Sequence, residues 1–106
     1  MLGKLGALFP IARYRIEGES MQPALSPGER VVVNRAAYWF SPPRPGDLVV
    51  VRDPGQPGRL LLKRIEGPAG ADRWLVAGDN PEASTDSRQF GPVVRGAIVG
   101  RVWFRY

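Results

Sequence analysis

A chain of 106 residues, 43% of them hydrophobic, is sized for one domain around a single core. It contains no histidine and no cysteine, which excludes disulfides, thiol catalysis and any histidine-based triad and removes the usual ligands of zinc and copper; no cofactor is expected. The net charge of +5 comes from thirteen arginines and two lysines spread singly along the chain, a pattern of solvated strand faces rather than of a nucleic-acid surface.

In chain order, residues 1–12 form a mildly apolar N-terminal segment. Leu2, Leu5, Leu8 and Phe9 recur there at helical spacing, so the segment reads as a short interfacial helix touching a membrane surface, or as a terminus that caps the core. It lacks the apolar stretch and small-residue cleavage site of a secretory signal. Nowhere does the chain reach the roughly 18 consecutive apolar residues of a spanning helix. Residues 13–106 are expected to form the single core domain.

From Arg13 the pattern is β. Tyr14 and Ile16 alternate with Arg13, Arg15 and Glu17, a half-buried strand that runs into a turn at Ser20. Pro27-Gly28 marks a turn, residues 30–35 carry the strand Val31-Val32-Val33, and Pro42-Pro43-Arg44-Pro45-Gly46-Asp47 marks another turn. Residues 48–52 read as a mostly buried strand, 53–58 as a loop and 59–66 as a strand bearing Lys63; residues 73–77 and 97–106 complete the set. With thirteen glycines and eleven prolines punctuating short strands, the expected architecture is a compact, curved, barrel-like all-β domain.

If such a chain performs nucleophilic catalysis, the base is not histidine. A serine activated by an unprotonated lysine is then the leading arrangement, with Ser20 and Lys63 the pair that stands out. By two-residue alternation Lys63 shares a strand face with Leu61 and Ile65, while Leu62 and Arg64 point the other way. Apolar neighbours disfavour the ammonium and lower its pKa. Taken singly, Ser20 also reads as a turn serine and Lys63 as a lysine whose stem packs while its head reaches water.

The ordered segments point further. Gly18-Glu19-Ser20-Met21-Gln22-Pro23-Ala24-Leu25 resembles the nucleophile box of type I signal peptidases. Arg44-Pro45-Gly46-Asp47-Leu48-Val49-Val50-Val51 resembles their second box, and Leu62-Lys63-Arg64-Ile65-Glu66-Gly67 the box of the general-base lysine. Gly78-Asp79-Asn80, Ser84-Thr85-Asp86-Ser87-Arg88, Gly91-Pro92-Val93 and Ile98-Val99-Gly100-Arg101 resemble the closing box.

This resemblance implies a serine endopeptidase in which Ser20 is the nucleophile, Lys63 the general base, Ser84 a hydroxyl orienting the lysine, and Asp86 with Arg88 a supporting pair. It implies a precursor protein or leader peptide as partner, and the Ser20 backbone N–H as an oxyanion donor. Some family members add a hydroxyl two residues before the nucleophile, where this chain has Gly18. Only residues 64–77 separate the lysine from the Gly78 box, so no cap domain is expected, and the N-terminal membrane anchor of typical signal peptidases is not expected either. In compactness the chain is similar to the nickel superoxide dismutase maturation proteases, and a cytoplasmic or peripherally membrane-associated leader-trimming enzyme is expected. A catalytically silent β-domain that binds peptide by strand addition, and a self-cleaving repressor-type domain, remain the alternatives.

Overall fold

The structure, a computed structural model, describes residues 1–56 and 58–106. Among the described residues eight strands form one antiparallel sheet: β1 (Leu2–Leu8), β2 (Ile11–Ile16), β3 (Arg30–Asn34), β4 (Leu48–Arg52), β5 (Leu60–Pro68), β6 (Arg73–Ala77), β7 (Val93–Val94) and β8 (Ile98–Arg105). Their spatial order is β1-β2-β3-β8-β4-β5-β6-β7. The sheet curls into a half-barrel, as the all-β reading anticipated. Among the described residues no helix is long and apolar enough to cross a membrane.

The strand joining the two halves is the last one. β8 pairs with β3 through Val33↔Val102 and with β4 through Val50↔Gly100, so the segment resembling the end of the closing box forms the middle of the sheet. Irregularities in β8 at both pairings sharpen its twist and help the sheet to curl.

Curling produces two cores on opposite sides of β4 and β5. One gathers Ala12, Tyr14, Ile16, Met21, Leu25, Val31, Val33, Val50 and Leu62; the other gathers Val49, Val51, Leu61, Ile65, Trp74, Val76, Val93 and Ile98. Successive residues of β4 and β5 enter different cores, which is why Val49-Val50-Val51 and Leu60-Leu61-Leu62 are continuous apolar runs without alternation.

The N-terminal segment departs from its helical spacing. Residues 2–8 are a strand paired with β2 from Leu2↔Ile16 to Leu8↔Ile11, with an irregularity between Lys4 and Gly6. An edge strand gains a full ladder of backbone hydrogen bonds on β2, whereas a single short helix gains little in water. Leu2 enters the core, while Leu8 and Phe9 stay exposed.

Short elements that escape the sequence pattern fill the segment between β6 and β7: a 3-10 turn at Pro81–Ala83 and a one-turn helix, α1 (Ser87–Phe90).

Candidate active site

β2 ends at Ile16, and the chain leaves the sheet through Glu17, Gly18 and Glu19 to reach Ser20. Gly18 has φ 97°, a conformation in which a residue with a Cβ would be strained. A side-chain hydroxyl at this position is therefore disfavoured by the backbone itself. A turn closes from Gln22 N–H to the Glu19 carbonyl at 3.2 Å. The Ser20 carbonyl accepts the backbone N–H of Asn80 at 2.8 Å, and the Asn80 side-chain amide donates to the Glu19 carbonyl at 3.1 Å. Asn80 thus clamps the turn that carries Ser20. Nothing local in the sequence signals a contact that spans 61 positions.

Lys63 lies in the middle of β5 and is only 2% exposed. Its Nζ donates to Ser84 Oγ at 2.8 Å, and Ser84 Oγ in turn donates to Asp86 Oδ2 at 3.2 Å. Because the hydroxyl proton is directed to the carboxylate, a hydroxyl lone pair faces the lysine. Burial lowers the Lys63 pKa, Asp86 raises it, and the Arg59 charge lowers it again, with a net downward shift.

Asp86 is fully buried, and its carboxylate accepts from Gly78 N–H at 3.1 Å, Arg88 N–H at 3.1 Å, and Arg88 Nε and Nη2 at 2.9 and 3.0 Å. Burial by itself would raise the pKa of this carboxyl. The guanidinium and backbone donors outweigh it and hold the value at about 2. Asp86 also caps α1, and Gln89 returns the bond by accepting the Asp86 N–H at 2.9 Å.

Gly78 lets these parts meet. A Cβ built there would collide with Ser84 Oγ and stand 2.7 Å from the Ser20 carbonyl oxygen, so this position closes the packing between the serine turn and the Ser84 loop. Next to it, Asp79 accepts Arg64 Nε and Nη2 at 2.9 and 2.8 Å, tying the outer face of β5 to the same loop.

Ser20 and Lys63 line one cleft of about 340 Å³, together with Glu17, Glu19, Asp53, Arg59, Leu61 and Thr85. Ser84, Asp86 and Arg88 reach that site through Lys63. Among the described residues no group of histidines, cysteines or carboxylates is placed to hold a metal ion. Arg59 and Asp53 carry no sequence signal of their own; Arg59 continues the strand face of Leu61 and Lys63 into the cleft, and Asp53 is held beside it by its N–H to the Arg59 carbonyl at 2.9 Å.

The family model described as "Signal peptidase, peptidase S26" matches residues 2–72 and 70–106, nearly the whole chain. The chain belongs to the signal peptidase family. A mitochondrial ATP-independent inner membrane protease subunit 1b of Arabidopsis thaliana is 34% identical, over 83% of this chain and 65% of its own length. A mitochondrial inner membrane protease subunit 1 of Mus musculus is 28% identical, over 97% and 85%. A signal peptidase I of Leptolyngbya laminosa is 31% identical, over 90% and 68%. The chain thus spans about two thirds of the first and last of these relatives.

Proposed function

We propose that this member of the signal peptidase family is a serine endopeptidase that removes leader or signal peptides from precursor proteins with a Ser20–Lys63 dyad. The observation that carries the reading is Lys63: buried, shifted toward its neutral form, held by Ser84 and facing the same cleft as Ser20. A silent peptide-binding domain has no use for a buried amine whose desolvation weakens the fold.

The chemistry is acyl transfer. The neutral Lys63 Nζ takes the proton of Ser20 Oγ as that oxygen bonds to the scissile carbonyl carbon. The Ser20 backbone N–H is the donor assigned to the oxyanion, with no side chain at Gly18 to assist it. Collapse breaks the C–N bond and the Lys63 ammonium gives its proton to the leaving amine. Lys63, neutral again, then takes a proton from the water that attacks the acyl carbon and returns it to Ser20 Oγ as the acyl–oxygen bond breaks. Ser84 orients the lysine throughout, and Asp86 with Arg88 fixes Ser84.

The reading includes leader trimming at a membrane surface. Phe9 stacks on Trp39 with ring centroids 5.5 Å apart, Phe40 packs edge-on to Trp39, and the Arg35 guanidinium lies 5.3 Å from the Phe9 ring centre. With Leu8 these exposed rings form an apolar tip beside a cation, a composition suited to the headgroup region of an anionic bilayer.

Cleavage of a peptide library by the wild type and Ser20→Ala, at neutral and alkaline pH, tests the proposal. Turnover that the substitution abolishes, rising with pH in the wild type, is the expected result. Equal turnover by both proteins would refute it.

A further inference from the structure

Arg59 immediately precedes β5 and continues the alternation that sets Leu61 and Lys63 on the cleft wall. Its guanidinium is incompletely satisfied. Nη1 reaches Gln56 Oε1 at 3.3 Å, but Nε is buried with no hydrogen-bond partner among the described residues. The nearby Asp53 carboxylate stands 3.9 Å from Nε, beyond hydrogen-bonding reach. The side chain as a whole is 38% exposed and lines the cleft, so the outer guanidinium nitrogens are the donors an arriving acceptor would meet.

We infer that Arg59 is a substrate-positioning residue whose guanidinium donates through its outer nitrogens to a main-chain carbonyl of the extended peptide, at a subsite remote from the scissile bond. The inference rests on the peptidase reading above. A carbonyl suits the position better than a substrate carboxylate, because Glu17, Glu19 and Asp53 line the same cleft and would repel a second negative charge. Arg59 is four strand positions from Lys63, about 13 Å along β5. An extended peptide advances at the same rate per residue, so the carbonyl belongs to a residue roughly three or four positions from the cleaved bond.

The test uses the intact chain and one cleavable sequence lengthened residue by residue on each side in turn, assayed at alkaline pH so that Lys63 is neutral in every variant. In the wild type, kcat/KM should step up about tenfold when the peptide reaches Arg59, the scale of one hydrogen bond from a charged donor. The ratio of long-peptide to short-peptide kcat/KM within each enzyme should collapse toward one in Arg59→Ala and recover partly in Arg59→Lys. The same ratio in Arg59→Ala as in the wild type, or no step in the wild type, overturns the inference. So does a step that appears only with Asp or Glu at the added position, which would assign Arg59 to a side chain. Failure of the wild type to cut any peptide would instead remove the peptidase reading, and Arg59's role with it.

Discussion

A lysine with almost no exposed surface has lost most of its hydration, and its charged form suffers more than its neutral form. The direction of the Lys63 shift follows, downward from 10.5, with Asp86 opposing it. Two consequences share one sign. Between the lowered folded value and 10.5 the unfolded chain binds more protons than the folded one, so this group's contribution to stability improves as pH rises through that window. Activity should rise with pH over the same proton loss. Lys63→Met, similar in volume and apolar, separates the two effects. Chemical denaturation should find the variant at least as stable as the wild type at neutral pH, with its advantage shrinking toward pH 10. Peptide hydrolysis should fall by roughly 10²-fold or more, the scale of a lost general base. Undiminished hydrolysis by the variant would remove Lys63 from the mechanism.

At the scale of elements, the site is a junction of three pieces: the turn after β2, the middle of β5 and the loop from β6 into α1. Asp86 binds the third piece together by capping α1, holding Gly78 and orienting Ser84. Its carboxylate is held near 2 against an ordinary 3.8, so its stabilising contribution is complete above the ordinary value and is lost as pH falls through about 2. The shift corresponds to about 2 kcal/mol. Asp86→Asn should therefore cost on the order of 2 kcal/mol at pH 7, read from denaturant midpoints, with the difference from wild type narrowing below pH 3. Because the Asp86 charge raises the Lys63 pKa, the same variant should move the rising limb of the pH–rate profile to lower pH. A limb that stays in place would mean that Asp86 acts on the lysine through packing alone.

The same elements explain what the sequence made legible. β2 through β6 and β8 were readable because residues such as Tyr14 and Ile16 alternate, or because runs such as Val49-Val50-Val51 are bounded by proline and glycine turns. β1 was not, since Leu2, Leu5, Leu8 and Phe9 satisfy helical spacing while partner strand β2 decides the outcome. α1 is too short to show a period, although Asp86 and Gln89 stand at capping-box spacing. Ser20 and Lys63 were conspicuous because no histidine or cysteine competes with them. Gly78 and Asn80 stand in the segment that resembles the closing box, but their contacts with the distant Ser20 turn are not encoded in local pattern; Arg59 falls on the Lys63 strand face by alternation, and only the fold shows that this face lines the cleft.

Over the whole molecule, apolar surface is distributed unevenly. The half-barrel buries most of its valines and leucines in two cores, yet leaves Leu8, Phe9, Trp39 and Phe40 outside at one end, the last 96% exposed, besides Trp103, Phe104 and Tyr106 at the end of β8 and just after it. Leu8 ends β1, Phe9 begins the turn to β2, and Trp39 and Phe40 follow β3, so the three neighbouring strands deliver these side chains to one end of the sheet. Stacking among the rings recovers part of the hydrophobic free energy but leaves a cluster facing solvent. Arg35 sits on this tip, and the net charge of +5 adds long-range attraction to anionic lipid. Trp39→Ala combined with Phe40→Ala removes two rings that lie outside both cores, so folding should persist. Retention on vesicles containing phosphatidylserine should fall several-fold, and the wild type should elute with added salt as screening weakens the arginine contribution. Hydrolysis of short soluble peptides should be little changed by the same substitutions, because none of these residues lines the cleft. Equal retention of wild type and variant would exclude the aromatic tip as the membrane contact. Loss of peptide hydrolysis together with retention would show instead that the tip supports the fold of the site.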